Sequence, residues 1–237
     1  MARTVNEQGY AEKRNEILDV AQRLIFAKGY ERMTIGDVLT ALKISSGAFY
    51  HYFDSKPALL EAFIERGQED VEKIIIPIIH DPDLSAIEKL QRFFDTLDQM
   101  RSAQQTFLVE LLRVWYTDHN AIVREKVNQV ILERRGPMMN EIVRQGIQEG
   151  AFTTPYPDQA GEVILSLLQG MGNSHARLLL SLDQDSDEQS CVEEIVAVHS
   201  AYMDAVERVL GAPPNSLYRT NAEAVNVWVS ALRENES

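Results

Sequence analysis

Apolar residues recur at three- and four-residue spacing along most of this chain, a pattern that predicts helices from one end to the other. Ile17, Leu18, Ala21, Leu24 and Ile25 form one stripe. They predict a helix from about Glu12 to Ala27, with Lys28 in its last turn and Gly29 just past its end. Ile35, Val38, Leu39 and Leu42 mark a second helix, and Phe49, Tyr52 and Phe53 a short third one. A fourth opens at about Lys56 with Pro57 in its first turn, where no N–H partner is lost. It carries Ala58, Leu59, Ala62 and Phe63, then continues through Gln68, Val71 and Ile75 toward Pro77. After a loop at His80–Asp83, Ser85 and Glu88 have the spacing of a capping box. The helix they start runs from Ala86 to about Ala103, and another spans about Gln104 to Tyr116. A long helical region covers Ala121–Gln148, with a break or kink expected at Gly136-Pro137. Helices over Asp158–Leu182, Glu188–Leu210 and Asn221–Leu232 complete an all-α chain with no convincing strand and no internal repeat.

The stretch Thr34–Lys56 organises the rest. Two short helical runs flank a tight polar break, the pattern of a helix-turn-helix. Thr34 is placed to cap the first run and Ser45 the second. The second helix opens on small and polar residues, Ser46, Gly47 and Ala48, so its end can approach base edges in a major groove. Phe49 and Phe53 take the inward phase, which leaves Tyr50 and His51 outside. Thr34, Ser45, Ser46, Gly47, Ala48, Tyr50, His51 and Lys56 are therefore the expected DNA surface. The plain alternative is packing for the two aromatic residues and a solvated surface for Lys56. Upstream, residues 1–14 read as a polar arm. Its Arg3, Lys13 and Arg14 are either DNA contacts or part of a disordered tail.

Five segments occur in order: Glu16-Ile-Leu-Asp-Val-Ala, Lys28-Gly-Tyr, Met33-Thr-Ile, Ser46-Gly-Ala-Phe-Tyr-His-Tyr-Phe and Ser55-Lys-Pro-Ala-Leu-Leu. In this order and spacing the region from about Asn15 to Phe63 resembles the DNA-binding domain of TetR-family transcriptional regulators. The resemblance implies a three-helix DNA-binding head over residues 1–60. It also implies a larger helical domain over 61–237 that binds a small-molecule effector and forms a homodimer. The expected function is that of a cytoplasmic transcription factor, usually a repressor, released from a double-stranded operator by its effector. One departure stands out, because Leu42-Lys43 occupies a turn where an Ala-Gly pair is common. A helical nucleoid or division factor governed by a protein partner is the second reading.

The formal net charge of −13 argues against DNA at first sight, but its distribution changes the picture. Residues 1–60 hold eight Lys/Arg against seven Asp/Glu, so the acidity lies in the remainder of the chain. DNA affinity is expected to be strongly salt-dependent. The single cysteine, Cys191, forms no intrachain disulfide, which suits a reducing compartment. No apolar run approaches the ~20 residues of a membrane span, and the first residues lack the apolar core of a secretory leader.

Catalytic chemistry finds no support: there is no nucleophile elbow and no metal-hydrolase motif. Asp183, Asp185, Asp187 and Glu194 approximate a calcium loop, but Glu188 stands where its glycine belongs, so a solvated acidic loop is expected. No metal and no cofactor is therefore expected. Phe93, Leu97, Met100, Phe107, Leu111, Trp115, Met139 and Met171 fall on inward phases of four helices. They are either solid core or the walls of an adaptable pocket for an apolar or aromatic effector. Gly161, Gly170 and Gly172 permit close helix packing. With the stripe Val192, Ile195, Val196, Met203 and Val206, they mark the expected dimer contact.

Overall fold

The computed structural model describes residues 2–103, 105–182 and 187–234, less the side chains of 2–6, 102, 103, 105–107, 110 and 234. Among the described residues ten α-helices follow one another: α1 (Ala2–Lys28), α2 (Ile35–Leu42), α3 (Ser46–Tyr50), α4 (Lys56–Ile79), α5 (Ala86–Ala103), α6 (Gln105–Trp115), α7 (Ala121–Gln148), α8 (Ala160–Leu180), α9 (Glu188–Leu210) and α10 (Ala222–Glu234). A single 3-10 turn, Asp118–Asn120, joins α6 to α7, and no strand occurs among the described residues.

The chain divides into two compact units. The first comprises Met1–Asp70 and Arg113–Val127. Its core is the stripe of α1 (Ile17, Leu18, Ala21, Ile25) with Met33, Val38, Phe49, Phe53, Leu59 and Leu60, all buried. Burying side chains of this size stabilises by ~1.5–3 kcal/mol each, enough to hold helices as short as α2 and α3 that have no independent stability. The 3-10 turn is fastened to the segment after α1. The Tyr30 amide donates to Asn120 Oδ1 at 2.8 Å, and the Glu31 amide to the His119 carbonyl at 3.2 Å. Gly29 permits this approach. Its φ is +84°, and a Cβ there would stand 2.6 Å from His119 Cβ.

The second unit comprises Val71–Leu112 and Asn128–Ser237. Ile75, Leu90, Phe93, Phe94, Met139, Ile142, Phe152, Ile164, Met171, Met203, Val206 and Leu210 belong to one buried cluster. Cys191, Val192 and Ile195 of α9 make a smaller one with Val225 and Val229 of α10. Arg134 grips the buried Glu72 with two hydrogen bonds, one of 2.8 Å, and Lys89 donates to Gln145 at 2.7 Å.

Several expectations change. Residues 2–14 are helix and continue α1, not an arm. The apolar stripe starts only at Ile17, so periodicity is blind to the polar turns before it. Those turns contain no proline and carry the pairs Gln8–Glu12 (3.1 Å) and Lys13–Glu16 (2.6 Å). Of the break or kink expected at Gly136-Pro137, a break does not occur, since α7 runs on through Pro137, as α4 does through Pro77. One missing N–H in a long, packed helix costs a single backbone bond, and packing on the core outweighs it. The proposed dimer stripe on α9 is also spent within the chain. Val192, Ile195, Met203 and Val206 are all buried in the clusters above. Gly161 likewise answers to its own chain, because a Cβ there would meet the Gly136 carbonyl at 2.4 Å. A Cβ at Gly170 would meet the Tyr202 ring, whereas Gly172 faces open space.

Candidate nucleic-acid interface

Two N-caps set the geometry of the helix pair. Thr34 has an extended backbone, and its Oγ1 accepts from the Asp37 amide at 3.1 Å. The Asp37 carboxylate in turn accepts from the Thr34 amide at 2.7 Å, so the two residues form a capping box. Lys28 reaches the same carboxylate at 2.6 Å. The hydrogen bond to Lys28, then those to Thr34, lower the Asp37 pKa to about 2. Ser45 Oγ accepts from the Ala48 amide at 3.2 Å and starts α3.

Between the helices, Lys43 adopts φ 54°, ψ 41°, the left-handed conformation that glycine favours. This accounts for the departure noted at Leu42-Lys43: the turn keeps its shape and the lysine bears the strain.

In α3, Phe49 is completely buried and Phe53 nearly so. The opposite face is open. Ser45, Ser46, Gly47 and His51 are exposed, Ala48 is half-buried, and Tyr50 is 48% exposed. A Cβ on Gly47 would meet nothing within 4 Å. Lys56 is less free than a surface lysine. Its Nζ lies 4.2 Å from the centroid of the Tyr30 ring and donates to the Glu31 carbonyl at 3.3 Å. Burial pushes its pKa down. The expected DNA residues thus lie along α2, α3 and the first turn of α4, with Thr34 and Lys56 each held by a neighbour.

One aromatic residue was missed. Tyr10 of α1 lies with its ring centroid 4.7 Å from that of Tyr52 and 5.5 Å, edge-on, from that of His51. Beside it, the Arg14 guanidinium sits 5.2 Å from the Phe53 ring centroid. The signal was present as spacing: Tyr10, Arg14, Ile17 and Ala21 lie on one helical face, and only the polar Arg14 hides the continuity.

The residues set aside for an effector are distributed between the units. Phe93, Met139 and Met171 are buried in one cluster of the second unit, with Leu97 packed against it. Met100 and Leu111 are half-buried in the same unit. Trp115 belongs to the first unit, and the Phe107 side chain lies outside the described residues. Among the described residues no group of three or more His, Cys, Asp or Glu could hold a metal ion. Asp183 and Asp185 lie outside them. No described helix is long and apolar enough to cross a membrane.

Residues 17–63 match the family model described as "Bacterial regulatory proteins, tetR family". The chain is 23% identical to the HTH-type transcriptional repressor DhaR of Mycobacterium sp. strain GP1, over 72% of this chain and 82% of that one. It is 24% identical to the uncharacterized HTH-type transcriptional regulator YfiR of Bacillus subtilis, over 82% and 93%. A TetR-family transcriptional regulator from Pectobacterium atrosepticum superposes with TM-score 0.55 at 16% identity, covering 87% of this chain and 98% of the other. A tetR-family regulatory protein from Rhodococcus RHA1 gives TM-score 0.52 at 21% identity, covering 84% and 97%. The capped helix pair with its open α3 face lies within the residues that match the TetR-family model, and the all-helical chain that carries it has the fold of TetR-family regulators.

Proposed function

We propose that this protein is a TetR-type transcriptional repressor. Residues 1–60 bind an operator, and residues 61–237 bind a small apolar or aromatic effector and form a cytoplasmic homodimer. The observation that carries this reading is the exposed start of α3, capped by Ser45 and anchored by the buried Phe49. Small residues at a helix end, backed by a rigid core, suit insertion into a major groove. The likeness to repressors such as DhaR supports the sign of the regulation.

A dimer places two heads on half-sites about one DNA turn, or a multiple, apart. Since the apolar stripe of α9 is consumed internally, the contact falls to the outer faces of α8 and α9. There Val163, Gly172, Ala197 and Ala201 are exposed. Coupling has more than one route. α4 passes from the first unit to the second, and so do α6 and α7, which flank the turn bonded to Tyr30. An effector shifts operator binding only by its differential affinity for the competent and incompetent states.

Selection from random-sequence duplex DNA tests the reading. A two-fold symmetric site should be enriched. Gly47→Glu should abolish binding to that site with an unchanged circular dichroism spectrum, since the side chain enters open space but meets phosphate. Failure to enrich any site, or full affinity in folded Gly47→Glu, refutes the proposal.

A further inference from the structure

Within the second unit, several buried hydrogen-bonding atoms have no partner. His175 Nε2 on α8, His199 Nε2 on α9, and Ser216 Oγ and Arg219 Nη1 in the segment after α9 are all buried with no hydrogen-bond partner. Each such atom destabilises the fold unless something satisfies it. A protein core tolerates one by accident; two on neighbouring stacked rings, with Arg219 close enough to act on His199, call for an occupant. The two imidazoles lie nearly parallel, 11° apart with centroids at 5.7 Å, and the Tyr218 ring stands edge-on to His199 at 5.7 Å. His199 is only 6% exposed.

The surroundings define the ligand's chemistry. Tyr218 stacks on Phe94, which meets Phe93 edge-on. Tyr218 also packs against the same apolar cluster that holds Phe93, Leu97, Met139 and Met171. The polar cluster is thus continuous with the apolar residues of the expected effector site.

Formal charges nearby are already matched. Arg219 Nη2 bonds Asp204 and Glu207, both at 2.8 Å, and Arg101 lies 3.6 Å from Asp98. The Tyr218 hydroxyl donates to Asp98. Desolvation lowers the pKa of both histidines, so the pair is neutral near pH 7. A neutral imidazole offers either an N–H or a lone pair at Nε2. Arg219 Nη1 offers only an N–H. An uncharged oxygen, able to accept and in a hydroxyl also to donate, complements that set. A carboxylate would add a charge beside the existing carboxylates.

We propose that His175, His199, Tyr218 and Arg219 form the polar subsite of the effector site, and that it takes an uncharged planar molecule bearing a hydroxyl or carbonyl oxygen. The proposal rests on the effector reading above and narrows it.

The test uses the full-length dimer with phenol and acetophenone as probes and benzoate as the anionic counterpart. Phenol or acetophenone should bind, raise the melting temperature and release the selected operator. Benzoate should bind at least tenfold more weakly. His175→Phe and His199→Phe should each lower probe affinity tenfold or more while operator affinity without the probe is unchanged. If a variant does not fold, ¹⁵N-histidine spectra of the wild type decide. Two of the five imidazoles should shift their Nε2 resonances at saturating probe. Probes that release the operator with the two histidines silent, or with affinity unchanged in both variants, overturn the subsite but leave the effector reading standing. Imidazole nitrogens that exchange with a buried water and ignore all three probes also overturn it. The effector reading itself falls only if a broad library of apolar compounds leaves operator affinity untouched.

Discussion

Replacing Asn120 with alanine removes the side chain that joins the turn before α7 to the segment after α1. Asn120 is fully buried. Its Oδ1 accepts from the Tyr30 amide at 2.8 Å, and its Nδ2 donates to the Val114 carbonyl at 3.1 Å. The variant loses both bonds, each worth ~0.5–1.5 kcal/mol net. It also strands the Tyr30 N–H in a site that is 8% exposed, where an unsatisfied donor costs ~1–3 kcal/mol. These two descriptions overlap, so the expected loss is about 2–4 kcal/mol rather than their sum. Asn120→Asp keeps the acceptor for Tyr30 and loses only the donor. Its buried carboxylate also faces the Val114 carbonyl acceptor to acceptor, so it should be no more stable than alanine.

The assay is urea unfolding followed by tryptophan fluorescence in a Trp228→Phe background. The chain has two tryptophans, and Trp115 then reports alone from the unit that contains Asn120. A loss below about 1 kcal/mol for Asn120→Ala would show that the bond is dispensable and that Arg113–Val127 is held to its unit by its other contacts, the Glu31–His119 backbone bond among them.

Three further outcomes follow from single residues. Lys43→Gly relieves a left-handed backbone and should raise stability by about 0.5–1 kcal/mol in thermal unfolding, less than the full αL cost because glycine gains entropy when unfolded. An unchanged or lowered melting temperature would refute the strain. Tyr10→Ala should weaken operator binding about 3- to 10-fold through loss of ring contacts worth ~0.5–1.5 kcal/mol, whereas Tyr10→Phe should bind like wild type. Equal loss in both variants would point to the hydroxyl instead. Burial, then the neighbouring His175, holds the His199 pKa at about 4, below its ordinary 6.5. The folded state therefore binds fewer protons than the unfolded one. This contribution is fully present above pH 6.5 and is lost as pH falls toward 4, with a drop of about 2 kcal/mol by pH 5. Between pH 7.5 and 5 the unfolding free energy of wild type should fall by about that much more than that of His199→Phe; parallel curves would contradict it.

Much of the architecture is legible because it rests on local chemistry. Thr34, Ser45 and Ser85 are read as caps from their position before apolar-periodic runs, and each makes its capping bond. The span of α9 follows from Asp187 before it and Gly211 after it, and the structure places both as caps. The inward phase of Phe49 and Phe53 leaves Tyr50 and His51 outside, which is what periodicity can decide. Where helix content is set by polar residues, as in residues 2–14, periodicity has nothing to measure. Where a helix is held by its neighbours, as α7 is through Pro137, a local breaker signal overstates its effect.

The illegible part is the long-range polar chemistry, and the reason is combinatorial. Asn120 serves Tyr30 across ninety residues of chain. Nothing beside Asn120 marks it, because one asparagine amide bonds equally well to water, to its own turn or to a distant backbone group. Val192 and Val206 show the complementary limit. Their spacing proves that α9 has an apolar face but does not say whether a second copy or the same chain covers it, since the free energy per buried Å² is the same for both. Only the three-dimensional path of α8 and α10 decides, and it assigns that face to the chain's own core. The same path brings His175 and His199, 24 positions apart, into a stack that no motif announces. A pattern in sequence can state which surfaces need a partner; which partner arrives is fixed by packing, and the residues left over after that packing are the ones that point to a ligand.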